Sequence, residues 1–97
     1  MRPRLRNLED QTIVITGASS GIGLATARLA AERGARVVLA ARSADGLWQA
    51  ADAIGERGGQ VGTVMADVAS EHDVRRIADI AVHRFGGFDT WVNNAGV

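Results

Sequence analysis

The sequence predicts an α/β fold, a doubly wound parallel sheet of which the first half is present as a β-α-β-α-β-α-β series. Three observations predict it. Four short apolar runs rich in β-branched residues recur along the chain of 97 residues, each too short for a stable helix. Stretches with helical apolar spacing alternate with them. The connections are short, so that each strand is followed by a helix that returns the chain to a parallel neighbour. Right-handed crossovers then limit the topology to a doubly wound sheet.

In chain order, "TIVIT" (Thr12–Thr16) is a β-branched run that stops at a glycine and reads as a buried strand. From Gly21 the pattern turns helical, with Ile22, Ala25, Leu29 and Ala30 on one face and Gly34 as its stop. "RVVLA" (36–40) is the second strand. A second helix over 43–57 turns Leu47, Ala50, Ala51 and Ile54 inward and ends at Gly58-Gly59. "QVGTVMA" (60–66) is the third strand. "SEHD" (70–73) fits a capping box, and Val74, Ile77, Ala78, Ala81 and Phe85 then mark a clear amphipathic helix. Gly86-Gly87 break it, and "FDTWVN" (88–93) is a fourth, buried strand. One domain spans 1–97, with 1–7 as a flexible basic arm in which Arg2, Arg4 and Arg6 are solvated.

Composition narrows the chemistry. Hydrophobic residues make up 46% and charged residues 23%, as in ordinary globular proteins. The net charge is zero, which predicts no general attraction to nucleic acid or an acidic membrane. No stretch approaches the roughly 18 apolar residues of a membrane span, and "MRPRLRNLEDQ" lacks the apolar run of a signal peptide. Cysteine is absent, which excludes disulfides and thiolate metal sites and fits a cytoplasmic location. All eleven basic side chains are arginine, and there is no tyrosine. A phosphate-loop lysine, a Schiff-base lysine and a tyrosine acid or base are therefore excluded. His72 and His83 share a helix with no metal-ligand spacing, so no metal site is expected.

"TGASSGIG" (16–23) joins the first strand to the first helix, with Gly17, Gly21 and Gly23 spaced G-x-x-x-G-x-G. Gly17 permits a sharp turn, Gly21 a close approach of backbone to a ligand, and Gly23, with Ala27 one turn on, tight contact between helix and sheet. The helix N-terminus offers free N–H groups and partial positive charge to a pyrophosphate. Ser19 and Ser20 can add hydroxyl donors. In NAD binders an acid at the tip of the second strand holds the ribose 2′-hydroxyl. This strand instead ends Ala40-Ala41-Arg42, with Asp45 a turn further on. An arginine there suits a 2′-phosphate by charge and bidentate geometry, so NADP(H) is expected over NAD(H).

"TGASSGIG", "AR" after the second strand, "ADV" (66–68) after the third and "NNAG" (93–96) after the fourth together resemble the short-chain dehydrogenase/reductase family, a Rossmann-like fold. The likeness covers nearly the whole chain from about Leu8. It implies that Gly17, Ser19, Ser20, Gly21, Ile22 and Gly23 line the cofactor phosphates and that Arg42 holds the 2′-phosphate. It also implies that Asp67 accepts from the adenine amine beside Val68. Asn94, Ala95 and Gly96 would run along the cofactor ribose, while Asn93 braces the sheet.

Members of that family continue well past this length, to a catalytic serine and a Tyr-x-x-x-Lys pair. None of these is present here, so no catalytic residue is assigned and the 97 residues alone are expected to be inactive. The apolar "TWV" at the last strand suggests a truncated sheet whose edge would self-associate or form a homo-oligomer. The expected function is an NADP(H)-dependent oxidoreductase acting on a carbonyl or alcohol of a small-molecule substrate, represented by its cofactor-binding half. The alternatives are a stand-alone dinucleotide-binding module without catalysis and a methyltransferase fragment, against which the glycine spacing and "NNAG" argue.

Overall fold

The computed structural model describes residues 7–18 and 21–94. A short 3-10 turn (Leu8–Asp10) leads into β1 (Thr12–Thr16), α1 (Gly21–Glu32), β2 (Arg36–Ala41), α2 (Ala44–Glu56), β3 (Val61–Met65), α3 (Glu71–Phe85) and β4 (Thr90–Asn93). The strands form one sheet in the order β3-β2-β1-β4, and every pairing is parallel. The chain therefore winds outward from β1 to β3, then returns through α3 to the other side of β1. That reversal leaves a switch point between β1 and β4, where open α/β sheets bind ligands at the carboxyl ends of the strands.

Alternate residues of β1 and β2 face opposite layers. Ile13, Ile15, Val37 and Leu39 meet Ala27 and Ala30 of α1 and Leu47, Ala50 and Ile54 of α2. Val14, Val38, Ala40 and Val64 meet Ile77 and Ala81 of α3 on the other face. With both faces covered, the interiors of β1 and β2 are apolar, and their polar residues Thr12, Thr16 and Arg36 stand at the strand ends.

The α1 interface differs from the sequence expectation. Its sheet-facing residues are Gly23, Ala27 and Ala30. Ala30 alone of the four expected inward residues is buried; Ala25 is exposed, and Ile22 and Leu29 are 76% and 52% exposed. The reason is size. A stripe of small residues at i, i+4 and i+7 brings the helix backbone close to β1 and β2, and the bulkier apolar stripe is turned aside.

The fourth strand also departs from its expected burial. Trp91 and Val92 are only half-buried, and Thr90 and Asn93 are exposed. β4 has β1 on one side and no strand on the other among the described residues. It starts at Thr90 rather than at 88, and Phe88 packs edge-on against Trp91 with ring centroids 5.5 Å apart. β3 is two residues shorter than expected. Its ladder still continues at both ends, with Val37 N–H donating to Gln60 O at 3.0 Å and Ala66 N–H to Ala41 O at 2.9 Å.

Candidate functional site

All four strands point the same way, so their carboxyl ends lie along one edge in the order β3, β2, β1, β4. Neighbouring strands are about 4.8 Å apart. The edge thus carries Asp67 just past β3, Arg42 at the tip of β2, Gly17 at the tip of β1 and Asn94 at the tip of β4.

Thr16 ties the centre of this edge together. Fully buried, its hydroxyl donates to Asn93 Oδ1 at 2.9 Å and accepts from Asn94 N–H at 3.2 Å. A buried hydroxyl that both gives and takes fixes its partners, so the exit of β4 is held to the exit of β1. Asn93 is the brace that the sequence motif implies, and Thr16 is its partner. The signal for Thr16 is a hydroxyl at the carboxyl end of a buried strand whose interior, 13–15, is apolar.

The glycines of the loop are required for separate reasons. Gly17 (φ 68°) and Gly21 (φ 59°) take left-handed backbone, which side chains with a Cβ disfavour. A Cβ on Gly21 would meet nothing within 4 Å among the described residues, so open space lies between it and them. A Cβ on Gly23 would overlap the Gly17 carbonyl oxygen and stand 2.8 Å from Asn94 Nδ2. The first turn of α1 therefore sits directly against the two loop ends. It carries no acidic residue, so no carboxylate of its own competes for its free N–H groups. Ile22 lies exposed on this turn. Ser19, Ser20, Ala95 and Gly96 lie outside the described residues.

Arg42 follows β2 directly and is exposed; no hydrogen bond or ion pair to the described residues engages its guanidinium. Asp67 and Val68 are half-buried, and Val68 packs against the α3-side core. Asp67 Oδ1 accepts from Ala69 N–H at 2.9 Å.

The α3 cap is half of the expected box. Ser70 Oγ accepts from Asp73 N–H at 3.3 Å. The Asp73 carboxylate does not return the bond to Ser70. Its Oδ2 reaches Asp67 N–H at 2.8 Å, and its Oδ1 meets Arg76 Nη1 at 3.2 Å. The bond from the Asp67 backbone, together with Arg76 and the charge of His72, lowers the Asp73 pKa against an opposing effect of burial.

A separate groove of about 700 Å³ opens at the other end of the molecule, where α1 and α2 finish, and is lined by Arg28, Glu32, Ile54, Arg57 and Gly59 among others. Helix carboxyl ends there present partial negative charge, and Arg57 pairs with Glu32 at 3.0 Å. Neither feature suits a phosphate. His72 and His83 are exposed, and no group of three His, Asp or Glu residues that could hold a metal occurs among the described residues. No helix there is long and apolar enough to cross a membrane.

Residues 11–97 match the family model for short chain dehydrogenase. The chain is 58% identical over 94 residues to the uncharacterized oxidoreductase YxnA of Bacillus subtilis (strain 168), covering 97% of this chain and 26% of that protein. It is 42% identical over 92 residues to 3beta-hydroxysteroid dehydrogenase 1 of Eggerthella lenta, covering 94% of this chain and 35% of the relative. Among solved structures it is similar to L-sorbose reductase from Gluconobacter frateurii complexed with NADPH and L-sorbose, at 45% identity and a TM-score of 0.86. That match covers 90% of this chain and 34% of the reductase. A short-chain type dehydrogenase/reductase from Mycobacterium marinum matches at 41% identity and a TM-score of 0.89, over 94% of this chain and 37% of its own. The chain thus spans between 26% and 37% of these relatives' length.

Proposed function

The chain belongs to the short-chain dehydrogenase family, and on that premise we propose that it is the dinucleotide-binding part of an oxidoreductase that uses NADP(H) in preference to NAD(H). When bound, the nicotinamide cofactor gives or accepts a hydride at a carbonyl or alcohol of a small-molecule substrate. The residues described above bind and orient that cofactor.

The order of groups along the carboxyl edge carries the reading. Left-handed Gly17 and Gly21, with open space before Gly21 and no room for a side chain on Gly23, form a backbone cradle at the N-terminus of α1. Pyrophosphate fits such a cradle. Beside it toward β2 stands Arg42, a cation without a described partner, where the ribose 2′-phosphate would lie. One strand further, Asp67 offers a carboxylate and Val68 an apolar wall, which suits a base with an exocyclic amine. On the β4 side Asn94 faces the other ribose. Gly17, Gly21, Ile22, Gly23, Arg42, Asp67, Val68 and Asn94 are the proposed contacts, joined by Ser19, Ser20, Ala95 and Gly96 from the sequence motif. The L-sorbose reductase complexed with NADPH, similar over 90% of this chain, supports the choice of dinucleotide.

Titration of the purified chain with NADPH and NADH tests the cofactor preference. A charge-assisted contact is worth roughly 1.5–3 kcal/mol, so Arg42→Ala should weaken NADPH binding about 10- to 100-fold and leave NADH nearly unchanged. Equal losses for both cofactors would refute the role of Arg42.

A second reading is a binding module without chemistry. Residues 1–97 by themselves hold neither a tyrosine proton donor nor a lysine to tune it. Under this reading cofactor binds and no hydride transfer follows with carbonyl or alcohol substrates.

A further inference from the structure

Three hydrogen bonds define the turn that carries Asp67. Ser70 N–H donates to Asp67 O at 3.0 Å, and Ala69 N–H donates to Asp67 Oδ1 at 2.9 Å. Both lie within the turn and set its shape. The third, from Asp67 N–H to Asp73 Oδ2 at 2.8 Å, is the one that ties Asp67 itself to α3. Without it the turn keeps its internal bonds and loses its anchor at the Asp67 end.

An acid in the first turn of a helix has a plain alternative role, to complement the helix dipole or to close a capping box. The geometry departs from the capping box and adds to the dipole role. The carboxylate bypasses Ser70 and reaches back six residues in the chain to Asp67. Arg76 Nη1 holds its other oxygen at 3.2 Å and also reaches Met65 O at 3.4 Å, at the end of β3. Asp73 and Arg76 together clamp the exit of β3 onto α3.

We propose that Asp73 is a positioning residue for base recognition: by accepting the Asp67 amide it holds the Asp67 carboxylate and Val68 at the β3 end of the cofactor edge, where they meet the exocyclic amine and face of adenine. This rests on the dinucleotide reading above. Asp73 touches no cofactor itself. It acts on one part of the ligand only, so its loss separates the base from the phosphates.

The test compares NADPH with its hypoxanthine analogue, which lacks the exocyclic amine, by fluorescence titration of the 97-residue chain. The unmodified chain should prefer NADPH by about tenfold, the worth of roughly one hydrogen bond. Asp73→Ala should remove most of that preference by weakening NADPH while changing the analogue less than about twofold. Asp73→Asn keeps an acceptor for the Asp67 amide and should retain the preference. If circular dichroism shows that Asp73→Ala does not fold, Asp73→Ser, too short to reach Asp67, takes its place with the same expectation. Equal losses for both ligands, or an unchanged preference in the Ala and Ser variants, overturns the positioning role and leaves the dinucleotide reading intact. Failure of the unmodified chain to bind either ligand overturns both.

Discussion

At the amino edge of the sheet, Arg36 donates Nε–H to Thr12 Oγ1 and Nη2–H to Asp10 O, each at 2.9 Å. Thr12 and Asp89 exchange two further bonds at 2.8 Å, and Thr90 Oγ1 donates to Gln11 Oε1 at 3.1 Å. At the carboxyl edge, Arg42 has no such partner among the described residues and Gly21 faces open space. The two edges hold similar residue types in opposite states. At one, polar groups close on one another and lock strand ends; at the other, Thr16 and Asp73 also lock strand exits, but Arg42 and the Gly21 backbone are presented outward. A polar group left unengaged at the end of a buried strand is a better pointer to a ligand than the mere presence of a groove. The groove between the ends of α1 and α2 contains an arginine already paired with Glu32.

The largest effect that could break this contrast is at Gly23. A Cβ there collides with the Gly17 carbonyl and crowds Asn94, and backbone cannot give way as a flexible side chain does. Gly23→Ala should destabilise by about 3 kcal/mol, the upper end of overpacking costs, and abolish nucleotide binding. Gly55→Ala is its counterpart at the other end, with nothing within 4 Å of the new atom. It should stabilise by about 0.5–1 kcal/mol through helix propensity. Chemical denaturation of both variants checks the pair, and equal stability of the two would erase the distinction between the edges.

The arginines come next. Beside the 10- to 100-fold loss expected for NADPH with Arg42→Ala, Arg57→Ala breaks only an exposed ion pair. It should cost less than about 1 kcal/mol of stability and leave nucleotide affinity unchanged. A loss of NADPH affinity in Arg57→Ala comparable to that in Arg42→Ala would move the site to the groove.

Threonines at the two ends of β1 sharpen the contrast further. Thr16→Val keeps the side-chain shape and removes the bonds to Asn93 and Asn94; it should cost about 1–2 kcal/mol and weaken nucleotide binding as Asn94 loosens. Asp89→Ala, which frees Thr12 N–H at the opposite edge, should cost a similar amount with no change in affinity for the folded protein. Parallel denaturation and titration experiments separate the two effects.

Most of this organisation was legible in the residues. The alternation of strands and helices and the parallel sheet follow from apolar periods and the crossover rule, which depend on local pattern and chirality; the order β3-β2-β1-β4 comes from the fold alone and sets Gly17, Arg42, Asp67 and Asn94 along one edge. The misreadings arise where bulk and contact part company. Ile22 and Leu29 were expected inward because they are the large apolar residues of α1, yet close approach selects the smallest ones, Gly23, Ala27 and Ala30. Trp91 and Val92 were expected buried because they are apolar, yet burial depends on how many neighbours a strand has. Asp73 matched the capping motif, and its bond to Asp67 was invisible because a motif fixes spacing and not the direction in which a carboxylate turns.

That direction has a consequence in acid, the smallest effect expected. Asp73 titrates below its ordinary value, chiefly because the Asp67 N–H favours the carboxylate, with Arg76 and His72 adding to it and burial opposing. A group whose pKa is depressed on folding contributes stability above its unfolded value, and that contribution disappears as pH falls through the folded value. The difference in stability between the unmodified chain and Asp73→Asn should therefore stay constant above about pH 5 and shrink as pH falls below about 4. Denaturation midpoints across that range read the difference directly. A difference that grows on acidification would mean that the protonated form of Asp73 is the one bound more tightly in the fold, and the Asp67 amide could not then be its partner.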